Sequence, residues 1–184
     1  GKVIFDTATA FNGWIADEQS SLDWLFAVPD GDAPDEGMFP AHATVLVEGS
    51  TTYLWVLEHE DLLAHPERWQ GFYGDRPTVV FTHRELPVPT GADVRFVSGP
   101  VSQALPAIRA AAGDGDVWVA GGGDLAGQFL DAGALDEIAL SVAPVALAGG
   151  APLLPRTVGS DRLTLVSAAA IGQFARLVYA VGRP

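Results

Sequence analysis

The run Val117-Trp118-Val119-Ala120-Gly121-Gly122-Gly123-Asp124-Leu125 carries the strongest chemical signal in the chain. An apolar strand passes through three glycines straight into a helix. Glycine lets backbone N–H groups approach a ligand with no Cβ in the way, and a helix N-terminus adds partial positive charge. Together they suit a phosphate or pyrophosphate. The plain alternative is a tight strand-to-helix turn with no ligand. The spacing is not G-x-G-x-x-G, and no acidic ribose contact follows about 20 residues on. Asp124 opposes an anion unless its carboxylate is turned away.

Two further segments share this design. Val45-Leu46-Val47-Glu48-Gly49-Ser50-Thr51-Thr52-Tyr53 is again a strand leading into a helix start, with three hydroxyls in the first turn. Those hydroxyls can cap the helix or bind phosphate, and capping is the simpler use. Thr82-His83-Arg84 ends the apolar strand Thr78 to Phe81 with a hydroxyl, an imidazole and a guanidinium, an anion clamp or a solvated strand end. In open α/β sheets ligands sit outside the carboxyl ends of parallel strands. Three such ends in one chain point to one nucleotide site.

Other chemistries lack their residues. There are no cysteines, which removes disulfides, thiolate metal sites and a Cys nucleophile, and fits a reducing cytoplasm. His42, His59, His65 and His83 show no ligand spacing with carboxylates, so no metal is expected. No G-x-S-x-G elbow occurs. Asp plus Glu number 23 against 10 Lys plus Arg, a formal charge of −13, which repels nucleic acid and anionic lipid. No apolar run approaches the roughly 20 residues of a membrane span. Gly1-Lys2 runs straight into a strand, so no signal peptide is expected.

The elements that must position these segments can be read from periodicity. At 184 residues and 48% hydrophobic, the chain suits one domain over residues 1–184. Strands are expected at Val3 to Ala10, Trp14 to Ala16, Thr44 to Val47, Thr78 to Phe81, Val94 to Val97 and Asp116 to Ala120. Ile138, Leu140 and Val142 alternate in another. A final hairpin, Leu163 to Ala169 and Phe174 to Val181, turns at Gly172. Val101, Leu105, Ile108 and Ala112 make one helical stripe despite Pro106. A helix begins near Asp124 and ends at Gly133. Ala27 to Pro40 and Ala148 to Pro155 read as loops. Alternating strands and helices imply parallel strands with right-handed crossovers.

The order of segments resembles the dihydrofolate reductase-like superfamily. It is most similar to the reductase domain of the bifunctional riboflavin-biosynthesis deaminase/reductase and its stand-alone bacterial relatives. The likeness covers nearly the whole chain. It is most specific over Val119 to Leu125, Gln128 to Ile138 and Ser141 to Val145, with Ser21-Leu22-Asp23-Trp24-Leu25 resembling the stand-alone members. The resemblance implies a three-layer α/β fold: a mixed, mostly parallel central sheet, helices on both faces and a C-terminal antiparallel hairpin. It also implies NADPH as cofactor and a homodimer.

Carried onto this chain, the resemblance places the pyrophosphate at Gly121 and Gly122, with Gly123, Asp124 and Leu125 beside them. It places the adenosine side at Gly49, Ser50, Thr51 and Thr52, the 2′-phosphate at Thr82, His83 and Arg84, and the nicotinamide under Gly13, Trp14 and Ile15. Three departures stand out. Ser50 replaces a usual Arg, for which Arg84 could substitute. Leu54 replaces a common Glu. Ala10-Phe11-Asn12-Gly13 stands for Ser-Leu-Asp-Gly. No deaminase zinc module is present.

The expected activity is hydride transfer from NADPH to a C=N or C=O of a small heterocyclic, pterin- or pyrimidine-like, or sugar-like substrate. Asp23 is the candidate catalytic carboxylate, with Asn12 and Trp24 beside it in a pocket walled by Phe11, Trp14 and Phe26. A helix cap would equally explain Asp23. The rival is a non-catalytic nucleotide-binding or dimerisation domain on the same scaffold.

Overall fold

A computed structural model describes residues 1–29 and 38–183. Within them, segments rich in Val, Ile and Phe become strands because branched and aromatic side chains pack well on a pleated surface. In chain order these are β1 (Val3–Ala10), β2 (Trp14–Ala16), β3 (Ala43–Gly49), β4 (Thr78–Phe81), β5 (Val94–Val97), β6 (Asp116–Gly121), β7 (Glu137–Ala143), β8 (Ala151–Pro152), β9 (Leu163–Ile171) and β10 (Phe174–Val181). The helices are α1 (Asp23–Phe26), α2 (Ser50–His59), α3 (Trp69–Tyr73), α4 (Val101–Ala112) and α5 (Gly123–Asp131).

Eight strands form one sheet in the order β5-β4-β3-β6-β1-β7-β10-β9, and β2 pairs with β8 in a separate ribbon. The pairs from β5 across to β7 are parallel. β10 lies antiparallel between β7 and β9. The sheet is therefore the mixed, mostly parallel one expected, with the hairpin at one edge. Gly172 takes a φ of 55° in the hairpin turn, a left-handed conformation that glycine adopts without a Cβ clash.

Strand alternation builds a core on each face. Val3, Phe5, Val45, Val47, Val117 and Val119 meet Ile108 of α4 and Phe129 of α5 on one side. Leu46 and Val80 meet Tyr53 and Leu57 of α2 and Trp69 and Tyr73 of α3 on the other. Each fully buried aliphatic or aromatic side chain is worth about 1.5–3 kcal/mol relative to exposure, so the two clusters hold the helices to the sheet. Among the described residues no helix is long and apolar enough to cross a membrane.

Several elements depart from the sequence expectations. The hydroxyls after β3 do not cap α2: Gly49 is its N-cap, with no side-chain cap bond, and Ser50 is already helical. α3 has no sequence signal, since Gly71 and Gly74 punctuate it. It forms because Trp69 and Tyr73 stack at 4.0 Å over the sheet, preceded by a 3-10 turn at Pro66–Arg68. The loop Ala148 to Pro155 contains β8, which needs β2 as partner. In β7 the small residues Ala139, Ser141 and Ala143 are buried while Leu140 and Val142 are half-buried, because that face too is covered. Of the expected loop Ala27 to Pro40, residues 30–37 lie outside the described residues.

Candidate functional site

β4, β3 and β6 are neighbours in the sheet, so parallel pairing brings their carboxyl ends to one edge. There Phe81, Gly49 and Gly121 hand the chain on to the clamp residues, α2 and the glycine turn. The peptide between Gly121 and Gly122 is cis. A cavity of 480 Å³ opens over this edge, lined by Ile15, Gly49, Ser50, Thr51, Thr52, Gly121, Gly122, Gly123, Asp124 and Leu125 among others.

The three glycines are not equivalent. A Cβ on Gly123 would strike the backbone carbonyls of Pro152 and Leu153, and one on Gly121 would come to 2.8 Å from Thr52 Oγ1. These two are required by packing. A Cβ on Gly122 would meet no protein atom within 4 Å, although its φ of −94° is open to any residue. The space it leaves is a cradle that a side chain would fill. Beside it, the first N–H groups of α5 have no partners within the helix. This is the donor set that a pyrophosphate needs.

Asp124 does not spoil this. Gln128 Nε2 donates to its Oδ2 at 3.0 Å and Arg156 Nη1 to its Oδ1 at 3.1 Å. These bonds, Gln128 first and Arg156 second, hold its carboxyl below the ordinary value. Its charge is compensated from the protein side.

A third segment extends the site. Thr82, His83 and Arg84 line a hollow of 380 Å³ that shares Ser50, Phe81 and Gln128 with the glycine cavity. Arg84 Nη2 donates to Ser50 Oγ at 3.0 Å. A guanidinium thus stands at the start of α2.

On the opposite side lies a 330 Å³ cavity that shares Thr7, Trp55 and Ala120 with the glycine cavity. Its walls include Leu25, Phe26, Phe39, Trp55, Trp118 and Phe174. His59 stacks on Trp55 at 4.5 Å and on Phe26 at 5.1 Å, bracing that wall. Its polar end is Asp6 with Ser141. Arg176 grips Asp6 with two bonds of 2.7 and 2.5 Å and donates to Ser141 Oγ at 3.1 Å. Burial pushes the Asp6 carboxyl above its ordinary value, and the Arg176 bonds oppose the rise.

The sequence expectation places the substrate at Asn12, Asp23 and Trp24, and the structure puts none of the three in the lining of either cavity. Asn12 spends its amide on the loop after β7, donating to the Leu147 carbonyl at 2.7 Å and accepting from its N–H at 3.2 Å. Asp23 is exposed at the first residue of α1 and lines neither cavity. Trp24 packs with Val28, Met38, Ala143 and Phe174 behind the wall that Leu25 and Phe26 form. Phe11 is exposed, Trp14 is held in the β2–β8 ribbon, and the Gly13 carbonyl accepts the Leu153 N–H. None of the three lines the glycine cavity or the aromatic cavity; Ile15 lines the first and Phe26 the second.

Sequence reading did not single out Asp6, Ser141 and Trp55, which line the aromatic cavity, or Arg176, which bonds Asp6 and Ser141. The signal was there: a lone Asp inside Val3 to Ala10 and a lone Arg inside Phe174 to Val181, each a charge at a strand position that must face inward.

Comparison with known proteins agrees with this architecture. The family described as the RibD C-terminal domain matches residues 63–176, more than half of the chain. The uncharacterized protein YwjB of Bacillus subtilis (strain 168) is 28% identical over 179 residues, 97% of each chain. A putative riboflavin biosynthesis protein from Shewanella sp. PV-4 superposes with a TM-score of 0.78 at 24% identity, covering 100% of both chains. Dihydrofolate reductase from Enterococcus faecalis, complexed with NADP(H), superposes with a TM-score of 0.61 at 14% identity, covering 99% of this chain and 96% of that one. The fold is that of dihydrofolate reductase.

Proposed function

Because the chain belongs to the RibD C-terminal domain family, we propose that it is an NADPH-dependent reductase acting on a C=N or C=O of a small pterin- or pyrimidine-like or sugar-like compound. The observation that carries this reading is the continuous run of three spaces: clamp hollow, glycine cavity, aromatic cavity. They suit a 2′-phosphate, a pyrophosphate with nicotinamide, and a substrate in that order.

Gly122 and the N-terminus of α5 would hold the pyrophosphate. Ser50, Thr51 and Thr52 would meet the adenosine side. His83 and Arg84 would face the 2′-phosphate, and Ile15 would cover the nicotinamide end. NADPH, when bound, supplies a hydride. The protein's part is to hold donor and acceptor in register across Trp55 and Ala120 and to keep water out with apolar walls.

A retired scaffold has no reason to keep a space beside the cofactor open, and here the aromatic cavity is open. The test is calorimetric titration of NADPH, followed by NADPH oxidation assays with dihydropterins, aminopyrimidines and small carbonyl compounds. Saturable binding with turnover of one class supports the reading. Absence of NADPH binding in the folded protein sinks it, and binding without turnover favours the non-catalytic rival.

The proposal extends to a homodimer formed through β9. This edge strand carries no charged residue from Leu163 to Ile171, and Leu165 and Val166 are exposed. Solitary edge strands are commonly protected by charge or covered, and a second copy would cover this one.

A further inference from the structure

The polar end of the aromatic cavity has a composition of its own. Asp6 and Arg176 are 4% and 8% exposed, and they face each other as a closed pair. A carboxylate offers about four lone-pair sites, and Arg176 fills two of them. The remaining acceptor capacity of Asp6 belongs to a carboxylate that lines the cavity. Ser141 Oγ accepts from Arg176, which leaves its own hydrogen free to donate. The set thus presents acceptors next to one donor, with no net charge.

Among the described residues the rest of the lining contains no cation, and His59, stacked behind Trp55 and Phe26, lies 3.6 Å from Glu60 rather than in the lining. The lining's other charged member is Glu60, and the remainder is apolar or aromatic apart from Thr7. Arg76 lies near, 5.6 Å from the Trp118 ring centroid, but donates to the Tyr73 carbonyl and is not part of the lining. Residues 30–37 bring no Lys, Arg or His to the chain. At the far end of the site the reverse holds, with His83 and Arg84 in the lining and no carboxylate. Positive charge is gathered at the cofactor end and withheld from the substrate end.

We infer that Asp6, Arg176 and Ser141 form a recognition set that selects an uncharged planar heterocycle with an N–H edge and rejects its anionic derivatives. The inference rests on the reductase reading, which makes this cavity the substrate's. Aromatic walls accept a flat π-system. The N–H edge meets Asp6, and a neighbouring carbonyl meets Ser141. A phosphate or carboxylate substituent in this cavity would meet the acceptor oxygens of Asp6 and Glu60, with Arg176 already bonded to Asp6 and no Lys or Arg in the described lining, a costly burial.

Three probes test this: lumazine, 1,3-dimethyllumazine, which lacks N–H groups, and 6-carboxylumazine. Each is titrated into the full chain, with and without saturating NADPH, below the ionisation of lumazine. Lumazine should bind, and each of the other two should bind about tenfold more weakly or worse, the scale of an unmet buried polar group. Asp6→Asn strands Arg176 and invites misfolding, so Ser141→Ala carries the assignment. It should weaken lumazine several-fold and leave NADPH affinity unchanged. Glu60→Lys should recover 6-carboxylumazine. Equal binding of the three probes, no lumazine binding at millimolar concentration, or indifference to Ser141→Ala overturns the inference. Selective lumazine binding without NADPH binding would overturn the reductase reading alone, and NADPH binding without selectivity would overturn only this one.

Discussion

Arg84 and Ser50, 34 positions apart in the chain, are joined by a 3.0 Å hydrogen bond from guanidinium to hydroxyl that ties the loop after β4 to the first residue of α2. A cation therefore occupies the helix start although the helix itself lacks one. Its exposure lets it turn toward a ligand phosphate.

Cofactor preference should depend on this guanidinium. Arg84→Ala should weaken NADPH about tenfold, the effect of one exposed charge-assisted bond, and leave NADH nearly unchanged. Paired dissociation constants for the two nucleotides decide it. A strong preference for NADPH that survives the substitution would place the 2′-phosphate at another strand end.

The glycines should separate by role. Gly122→Val should keep the melting temperature and lose NADPH binding, because a Cβ there meets no protein atom within 4 Å and opens onto the cavity. Gly123→Ala should lower stability whether or not nucleotide is present, because its methyl group strikes the carbonyls of Pro152 and Leu153. Thermal melts with and without NADPH read both effects. Nucleotide binding intact in Gly122→Val would leave the turn with a packing role only.

Stability should carry the mark of Glu48. It is buried beneath the site with Tyr73 Oη donating to its Oε1 at 3.2 Å. Burial pushes its carboxyl from an ordinary 4.5 up to about 8, with the Tyr73 bond opposing. Between those values the folded chain holds a proton that the unfolded chain releases, so stability falls as pH rises through that window and levels off above it. Urea midpoints of the parent relative to Glu48→Gln should decline between pH 5 and 8 with a slope approaching one proton. A flat difference would mean that Glu48 is ionised in the fold.

What the sequence disclosed and what it withheld follow from distance along the chain. The glycine turn, α4 and the hairpin are written in neighbouring residues, where periodicity and turn chemistry act. The pair Asp6 and Arg176 spans 170 positions, and only the placement of β10 beside β7 brings it together. α3 depends on Trp69 and Tyr73 finding the sheet, which no local propensity records. Asn12 and Asp23 show the opposite case. They sit near the loop after β1 in sequence, but Leu147 captures one and α1 leaves the other in solvent.

Association should fail when the hairpin edge is charged. Val166→Lys places an ammonium in the middle of β9, at a residue 60% exposed, where it would have to be buried against a second copy. The parent should behave as a dimer in light scattering and the variant as a monomer. A monomeric parent at the same concentration removes the homodimer from the proposal.

Trp55 stands between two of the spaces and belongs to the lining of both. Two ligands that both touch one indole are coupled through it wherever each requires a different position of the ring. Whatever position the ring takes for the first is the position the second meets, and the resulting coupling free energy is shared. If the nucleotide sharpens affinity for the heterocycle by some factor, the heterocycle must sharpen affinity for the nucleotide by the same factor. The order in which the two arrive can then differ in rate but not in final balance, and a change at Trp55 would alter that factor from both directions at once.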